Sequence, residues 1–205
     1  MNPVQQTNER LTLHVIFLGT NGTGKTTMVK NHFVKPSKRR VLIIDPDGLE
    51  PQWKEYKKID IRNRVAMQSF KGIRVAGCQS PDDIAIIEQN YNNGALVLDD
   101  FGYYTQSNIP QALRQILVRR RQKRIDIFSL THGFTNIPPA LILYTTHLCI
   151  FKTYDNPVRH KEKMNVEAFA ALMETIKMVN DNPNRHYSQM VDLKKLTETP
   201  LTNAR

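Results

Sequence analysis

The sequence predicts an α/β fold, a mostly parallel central sheet covered by helices on both faces, and three observations carry that expectation. Short β-branched runs alternate with helically patterned stretches, the sign of strand-helix-strand units. Four of these runs, HVIFL, VLIID, ALVLD and IDIFSL, are almost unbroken apolar segments, as strands buried on both faces must be. The chain has 205 residues, 40% hydrophobic and 23% charged, which suffices for one core and stays below the roughly 250 residues at which chains divide. A single domain over residues 1–205 is therefore expected, with a core at about 11–152, a helical segment at 164–180 and a polar tail.

Taken in order, strands are expected at 11–18, 41–45, 73–77, 95–99, 125–131 and 147–152. A helix at 25–34 follows the first strand. A second, at 82–91, is opened by Ser80 as cap with Pro81 at the first helical position. A third covers 110–123. Val166, Phe169, Ala170, Met173, Ile176 and Lys177 recur at spacings of three and four, so 166–179 reads as an amphipathic closing helix ended by NDNPN. From Asp192 onward the chain is polar and is expected to be loosely held. There is no internal repeat, low-complexity tract or long linker.

Lysine and arginine outnumber acids 29 to 19, a formal charge of +10 with a pI near 9.7, which suits a polyanionic partner without identifying one. The two cysteines, Cys78 and Cys149, are too few for a disulfide framework and lack metal-ligand spacing, so a reducing cytoplasm is expected. The segment MNPVQQTNER has no apolar centre, which argues against a secreted protein. The longest apolar candidate, IPPALILYTTHLCIF, is interrupted by Pro138, Pro139, Thr145, Thr146 and His147 and falls short of the ~20 apolar residues a span requires. No membrane insertion is expected.

Directly after the first strand stands GTNGTGKTT, in which Gly19, Gly24, Lys25 and Thr26 satisfy GxxxxGK[ST]. Glycines permit positive φ angles, so backbone amides can crowd around phosphate oxygens, and the N-terminus of the following helix favours the same anion. The expected ATP-binding set is Gly19, Asn21, Gly22, Thr23, Gly24, Lys25, Thr26 and Thr27. Lys25 reaches the β and γ phosphates, and the Thr26 hydroxyl serves Mg2+. Composition alone yields such a match in on the order of one chain per hundred of this length; its place between an apolar strand and a helix makes chance a poor explanation.

Phosphoryl chemistry also needs a carboxylate near the metal and a group that orients or deprotonates water. ALVLDDFG supplies both: Asp99 ends an apolar strand and is the second metal-associated acid, and Asp100 is the candidate that activates water. Further on, QALRQILVRRRQKR places Arg114, Arg119, Arg120, Arg121, Lys123 and Arg124 on one helix and its exit. A solvated face explains most of them, yet one guanidinium can reach the γ-phosphate of a neighbouring subunit. The next strand, IDIFSLTHG, ends in Thr131 and His132, which emerge at the carboxyl edge where open α/β sheets bind ligands. His132 is a candidate sensor of the terminal phosphate.

With these pieces in order, the chain resembles the FtsK/HerA superfamily of P-loop ATPases, its viral genome-packaging branch above all. The resemblance covers roughly residues 11–152. It rests on the phosphate loop, on IIDPDG with Asp45 and Asp47, on the strand with paired acids, and on an arginine-ended helix about eleven residues before a polar strand end. Counting back from His132 reaches Arg121, which the resemblance makes the trans-acting arginine, with Arg120 its nearest competitor and Arg119 and Arg124 as further choices. Two positions depart from the superfamily pattern: Asp100 stands where glutamate is usual, and His132 where glutamine is usual. The resemblance implies a RecA-like three-layer sandwich, a homo-oligomeric ring (hexamer or pentamer), and ATP hydrolysis with Mg2+ that drives double-stranded DNA into a capsid. It also implies a capsid vertex protein as docking partner, and a location in the host cytoplasm or at the virion vertex.

Basic clusters suited to DNA phosphates are Lys35, Lys38, Arg39 and Arg40; Lys54, Lys57 and Lys58; and Arg159, Lys161 and Lys163, although ordinary solvated surface is the simpler explanation of each. The segment FGYYTQSN, residues 101–108, is a candidate loop for DNA or for a neighbour. Competing readings are a small-molecule or nucleoside kinase, a filamentous-phage assembly ATPase of the zonula occludens toxin type, and a nucleotide-dependent scaffold without turnover. Paired acids and a polar strand end favour water as acceptor over a kinase substrate.

Overall fold

The computed structural model describes residues 12–78, 80–105 and 108–193. Within them the chain runs β1 (His14–Leu18), α1 (Lys25–Val29), β2 (Arg40–Ile44), β3 (Lys57–Lys58), α2 (Arg64–Ser69), β4 (Ile73–Ala76), α3 (Pro81–Asn90), β5 (Gly94–Leu98), α4 (Gly102–Thr105), α5 (Gln111–Lys123), β6 (Ile125–Thr131), β7 (His147–Ile150), α6 (Val166–Asp181) and β8 (Gln189–Asp192). The strands form one sheet in the order β3-β4-β2-β5-β6-β1-β7-β8. Every neighbouring pair is parallel except β7 and β8. This is the expected mostly parallel sheet flanked by helices.

The six expected strands are all present, and two more extend the sheet at its edges. Neither has an apolar run to announce it. β3 is a pair of exposed lysines, a composition that discourages pairing with another chain. β8 buries only Val191 of its four residues. Asp192, read from sequence as the start of a loose tail, is therefore the last residue of a strand paired with His147 of β7; residues 194–205 lie outside the described region.

Period two along the strands feeds both faces. Val15, Phe17, Val41, Ile43, Val97 and Phe128 pack with Val29 of α1, while Ile16, Leu18, Leu42, Ile44, Leu96 and Leu98 pack with side chains of α3, α5 and α6. Each such side chain contributes roughly 1.5–3 kcal/mol by leaving water. The helix after β1 continues past α1 with a wider pitch over Lys30–Val34, where Lys35 N bonds to Lys30 O at 2.9 Å. Phe33 on this stretch lies 5.4 Å from Phe17 and 4.8 Å from Phe128, centroid to centroid. In α3 the Ser80 amide donates to Asp83 across a capping box, and Pro81 opens the helix as expected.

Two expectations need correction. The closing helix exists, but the side chains it buries are Ala168, Leu172, Ile176 and Val179. Of the expected stripe only Ile176 is among them, while Val166 and Met173 are exposed. The helix carries apolar side chains around much of its girth, so spacing alone does not select a face, and the small Ala168 permits the close approach. The segment from Phe101 is no open loop either: Phe101, Tyr104 and Thr105 are buried, α4 spans Gly102–Thr105, and Tyr103 stays at the surface. Gln106 and Ser107 lie outside the described residues.

Register sets the position of the site. Leu18 of β1 pairs with Thr131 of β6, and Leu98 of β5 pairs with Ser129, so β6 outruns β5 by two residues. Beyond β5 the chain keeps its neighbours: Asp99 N donates to Ile44 O at 3.0 Å and Phe101 N to Leu130 O at 2.7 Å. Gly19, the Asp99–Asp100 pair and His132 consequently leave three adjacent strands at one edge.

Candidate active site

The phosphate loop is fastened to both neighbours of β1, with Gly19 N donating to Thr131 O at 3.3 Å and Thr20 N to Lys152 O at 2.8 Å. Gly22 and Gly24 have φ of +73° and +95°, a region costly for any residue with a Cβ. At Gly19 the reason is space as well, because a Cβ would stand 2.6 Å from that of Phe151. The Thr23 hydroxyl donates to Thr20 O at 2.8 Å and closes the loop on itself. The Lys25 ammonium is folded back, donating to Gly19 O at 2.7 Å and Thr20 O at 2.9 Å. Burial pushes this amine down to about 8, while the carboxylates of Asp99 and Asp100 pull the other way.

A cleft of about 570 Å³ opens in front of the loop, lined by Asn21, Gly22, Gly24, Lys25, Thr26 and Thr27, by the turn from Asp45 to Gln52, by Asp99 and Asp100, and by Leu130, Thr131, His132 and His186. Its size is that of an ordinary small-molecule site. The structure thus gathers every one of the expected residues Lys25, Thr26, Asp99, Asp100 and His132 along one cleft. The hydroxyl of Thr131, buried in the cleft wall, has no hydrogen-bond partner among the described residues, and such an orphan calls for a polar occupant.

Asp99 is held from two sides. Its Oδ2 accepts from the indole N–H of Trp53 at 2.5 Å and its Oδ1 from the Asp100 amide at 3.0 Å. Burial nonetheless pushes the carboxyl up to about 6; both donors oppose this, and the charges of Glu50 and Asp45 reinforce it. Asp45 is buried, and desolvation raises it despite hydrogen bonds from the Glu50 and Gly48 amides. Acids thus outnumber the single lysine around the cleft, and among the described residues the Thr26 hydroxyl makes no hydrogen bond. This donor set of hydroxyl and carboxylate oxygens fits a hard divalent cation such as Mg2+.

Asp100 takes a left-handed backbone, φ +42°, a conformation aspartate tolerates better than most residues. The turn ends the strand and leaves the carboxylate half-exposed, 3.6 Å from Nε2 of His132. One group can thus face solvent water while its neighbour, Asp99, faces the interior.

Arg121 lies elsewhere. It sits near the end of α5, where β6 begins, and so at the opposite edge of the sheet from its own phosphate loop; the seven residues of β6 separate the edges by roughly 20 Å at strand rise. It is exposed, and its guanidinium makes no hydrogen bond or ion pair within the described residues. Its competitors are engaged: Arg119 lies 3.6 Å from Glu88, Arg120 donates to Leu117 O at 2.8 Å, and Arg124 forms the left-handed cap of α5. Of the basic clusters, Arg39 is paired with Asp126 at 2.8 Å. Arg40 is bonded to the carbonyls of Met67, Gln68 and Asn92 and lies 5.0 and 4.8 Å from the ring centroids of Phe70 and Tyr91. Both are structural. Lys54, Lys57, Lys58, Arg159, Lys161 and Lys163 are exposed.

Sequence reasoning missed three contributors. Trp53, the chain's one tryptophan, is buried and reaches Asp99 from 46 residues away; a lone tryptophan amid the polar stretch EPQWKEY was the available signal. Arg185 and His186 come from the segment between α6 and β8. The Arg185 guanidinium donates to Asn21 O at 2.9 Å and His186 lines the cleft. Nothing local in NDNPNRHY announces this, because the antiparallel return of β8 brings it there.

No family model matches the sequence, and no curated protein does either. Solved structures do. The genome packaging NTPase B204 from Sulfolobus turreted icosahedral virus 2 in complex with AMPPCP superposes with a TM-score of 0.74 at 17% identity, covering 91% of this chain and 95% of that one. The same protein in complex with AMP gives 0.74 at 18%, covering 96% of each. The N-terminal domain of zonular occludens toxin from Neisseria meningitidis is a remoter likeness, with a TM-score of 0.49 and 18% identity over 92% of this chain and 100% of that domain. Among the described residues no helix is long and apolar enough to cross a membrane. The similarity read from the motifs is thus matched in three dimensions: this chain has a P-loop NTPase fold like that of B204.

Proposed function

We propose that the chain hydrolyses ATP, as a ring of identical subunits, to drive double-stranded DNA into a viral capsid. The observation that carries this reading is the cleft in which Lys25 shares one wall-to-wall space with Asp99 and Asp100, on a sheet shared over nine-tenths of both chains with a packaging NTPase.

The chain's own groups divide the work. Amides around Gly22–Thr26 bind phosphate oxygens, and Lys25 exchanges its two carbonyl partners for the β and γ phosphates. The Thr26 hydroxyl and Asp99 hold Mg2+, with Trp53 and the Asp100 amide keeping that carboxylate oriented. When bound, the ion neutralises charge on the phosphate oxygens. Asp100 takes a proton from a water whose oxygen attacks the terminal phosphorus, and the bond to the bridging oxygen breaks with its electron pair leaving on ADP. His132, beside Asp100, responds to the presence of the terminal phosphate. Arg121 faces away from its own loop and serves the neighbour's, so the active unit is a closed ring, hexamer or pentamer. Subunits of charge +10 surround the duplex and contact its phosphates without reading sequence, docked on a capsid vertex in the host cytoplasm or on the virion.

Displacement of a third strand from a linear DNA triplex tests the reading. ATP-dependent release by the wild type, absent in Lys25→Ala, is expected; ATP turnover that releases no third strand would reduce the function to hydrolysis alone.

A further inference from the structure

The segment after α6 does more than connect. α6 ends at Asp181 and β8 starts at Gln189, and because Gln189 pairs with Ile150 at the carboxyl end of β7, the intervening residues must cross the edge that carries the phosphate loop. They cross it in a defined path. Asn182 Oδ1 accepts from the Asn184 amide and Asn184 Oδ1 from the His186 amide, each at 2.9 Å, Tyr187 N donates to Asn184 O at 3.1 Å, and Asn180 is bonded to both backbone groups of Thr153, at 3.0 and 2.7 Å. Two successive side-chain turns thus present Arg185 and His186 side by side.

The Arg185 guanidinium lies against the tip of the loop. A Cβ built on Gly22 would stand 2.7 Å from Nη2, 3.3 Å from Cζ and 3.8 Å from Nη1. The group covers the face of that glycine, and among the described residues its one hydrogen bond is to Asn21 O. A guanidinium has five N–H donors, so most remain to be used. Asn21 and Gly22 line the same cleft as Lys25 and the helix N-terminus, where a phosphate chain is favoured.

We propose that Arg185 is a phosphate-binding residue that acts in cis: on nucleotide binding its free N–H groups pair with oxygens of the β or γ phosphate, opposite Lys25. The inference rests on the nucleotide-binding reading given above and adds to it a second cation supplied by the same subunit, distinct from the trans-acting Arg121. It also gives Gly22 a second reason to lack a side chain, since any Cβ would push the guanidinium off the loop.

Calorimetric titration of ATP, ADP and AMP into the full chain, with Mg2+ present, tests it in wild type, Arg185→Ala, Arg185→Lys and Lys25→Ala. Arg185→Ala is expected to weaken ATP and ADP about tenfold or more and AMP by no more than about twofold, with Arg185→Lys in between, because a single charged contact without the bidentate fork restores part of the binding. Wild-type affinity for all three nucleotides in Arg185→Ala would overturn the proposal. So would equal weakening of all three in Arg185→Ala and Arg185→Lys alike, which is the signature of a displaced segment rather than a lost phosphate contact. Wild-type protein that binds no ATP, or Lys25→Ala that binds as wild type, would overturn the nucleotide-binding reading itself, and this inference with it.

Discussion

Asp100 and Asp99 are neighbours in sequence with different environments, one exposed to solvent and one half-buried between an indole and an amide, and their substitutions separate accordingly. Asp100→Asn should lower kcat by about 10²–10⁴-fold, the range of a lost general base, with ATP affinity little changed; single-turnover phosphate release and equilibrium binding check the two halves. Trp53→Phe keeps an aromatic ring, though a smaller one, and removes the donor to Asp99, and hydrogen bonds to charged groups are worth about 1.5–3 kcal/mol. A loss of at least tenfold in kcat/KM, measured at saturating Mg2+, is expected. The free protein's pH profile follows from two shifts. Asp99, raised to about 6, must be charged to act, so kcat/KM falls as pH drops through that value. Lys25, lowered to about 8, must be protonated, so kcat/KM falls again as pH climbs past it. A flat profile from pH 5 to 9 would contradict both. The glycines, Lys25 and the paired acids were legible because each belongs to a contiguous run whose spacing has a physical meaning. Trp53 and Arg185 were not, since their partners lie 46 and 164 residues away and no local pattern encodes such a meeting.

Among the elements, β1 does the most to place the site, and its first residue explains how firmly it is held. His14 is completely buried, with Nε2 3.2 Å from Ser129 Oγ and Nδ1 3.2 Å from Tyr144 O. Desolvation drives it down to about 3. The folded protein therefore keeps this ring neutral at pH values where the unfolded chain protonates it. The stability it provides is whole above pH 6.5 and is lost as pH falls from there toward about 3, at about 1.4 kcal/mol per pH unit. Urea unfolding of wild type and His14→Gln at pH 7.5 and 5.5 measures this: the stability difference between them should shift against the wild type at the lower pH, and a difference independent of pH would mean that His14 titrates alike in the folded and unfolded chain. The central strands could be read from sequence because burial on both faces demands continuous apolar runs. The edges could not: β3 and β8 are short and polar, as edge strands are, and become strands only by pairing with β4 and β7. The closing helix was legible as a helix but not in its rotation, which is decided by the sheet surface that receives Ala168 and Leu172.

The whole molecule has its phosphate loop and Arg121 at opposite edges of one sheet, so on the proposed ring reading each site takes its arginine from a neighbour. Arg121→Ala and Lys25→Ala should each be inactive as pure rings. Mixed in equal amounts they should regain about a quarter of the wild-type rate, since a random ring places an intact loop next to an intact arginine at one interface in four; no recovery on mixing would assign the trans role to another residue. The most direct test of the account is the rate of phosphate release per subunit across a series of protein concentrations, with and without linear duplex DNA. A cooperative rise with concentration, further stimulated by DNA and abolished by Lys25→Ala, is predicted. A rate per subunit that is constant with dilution and indifferent to DNA would contradict it.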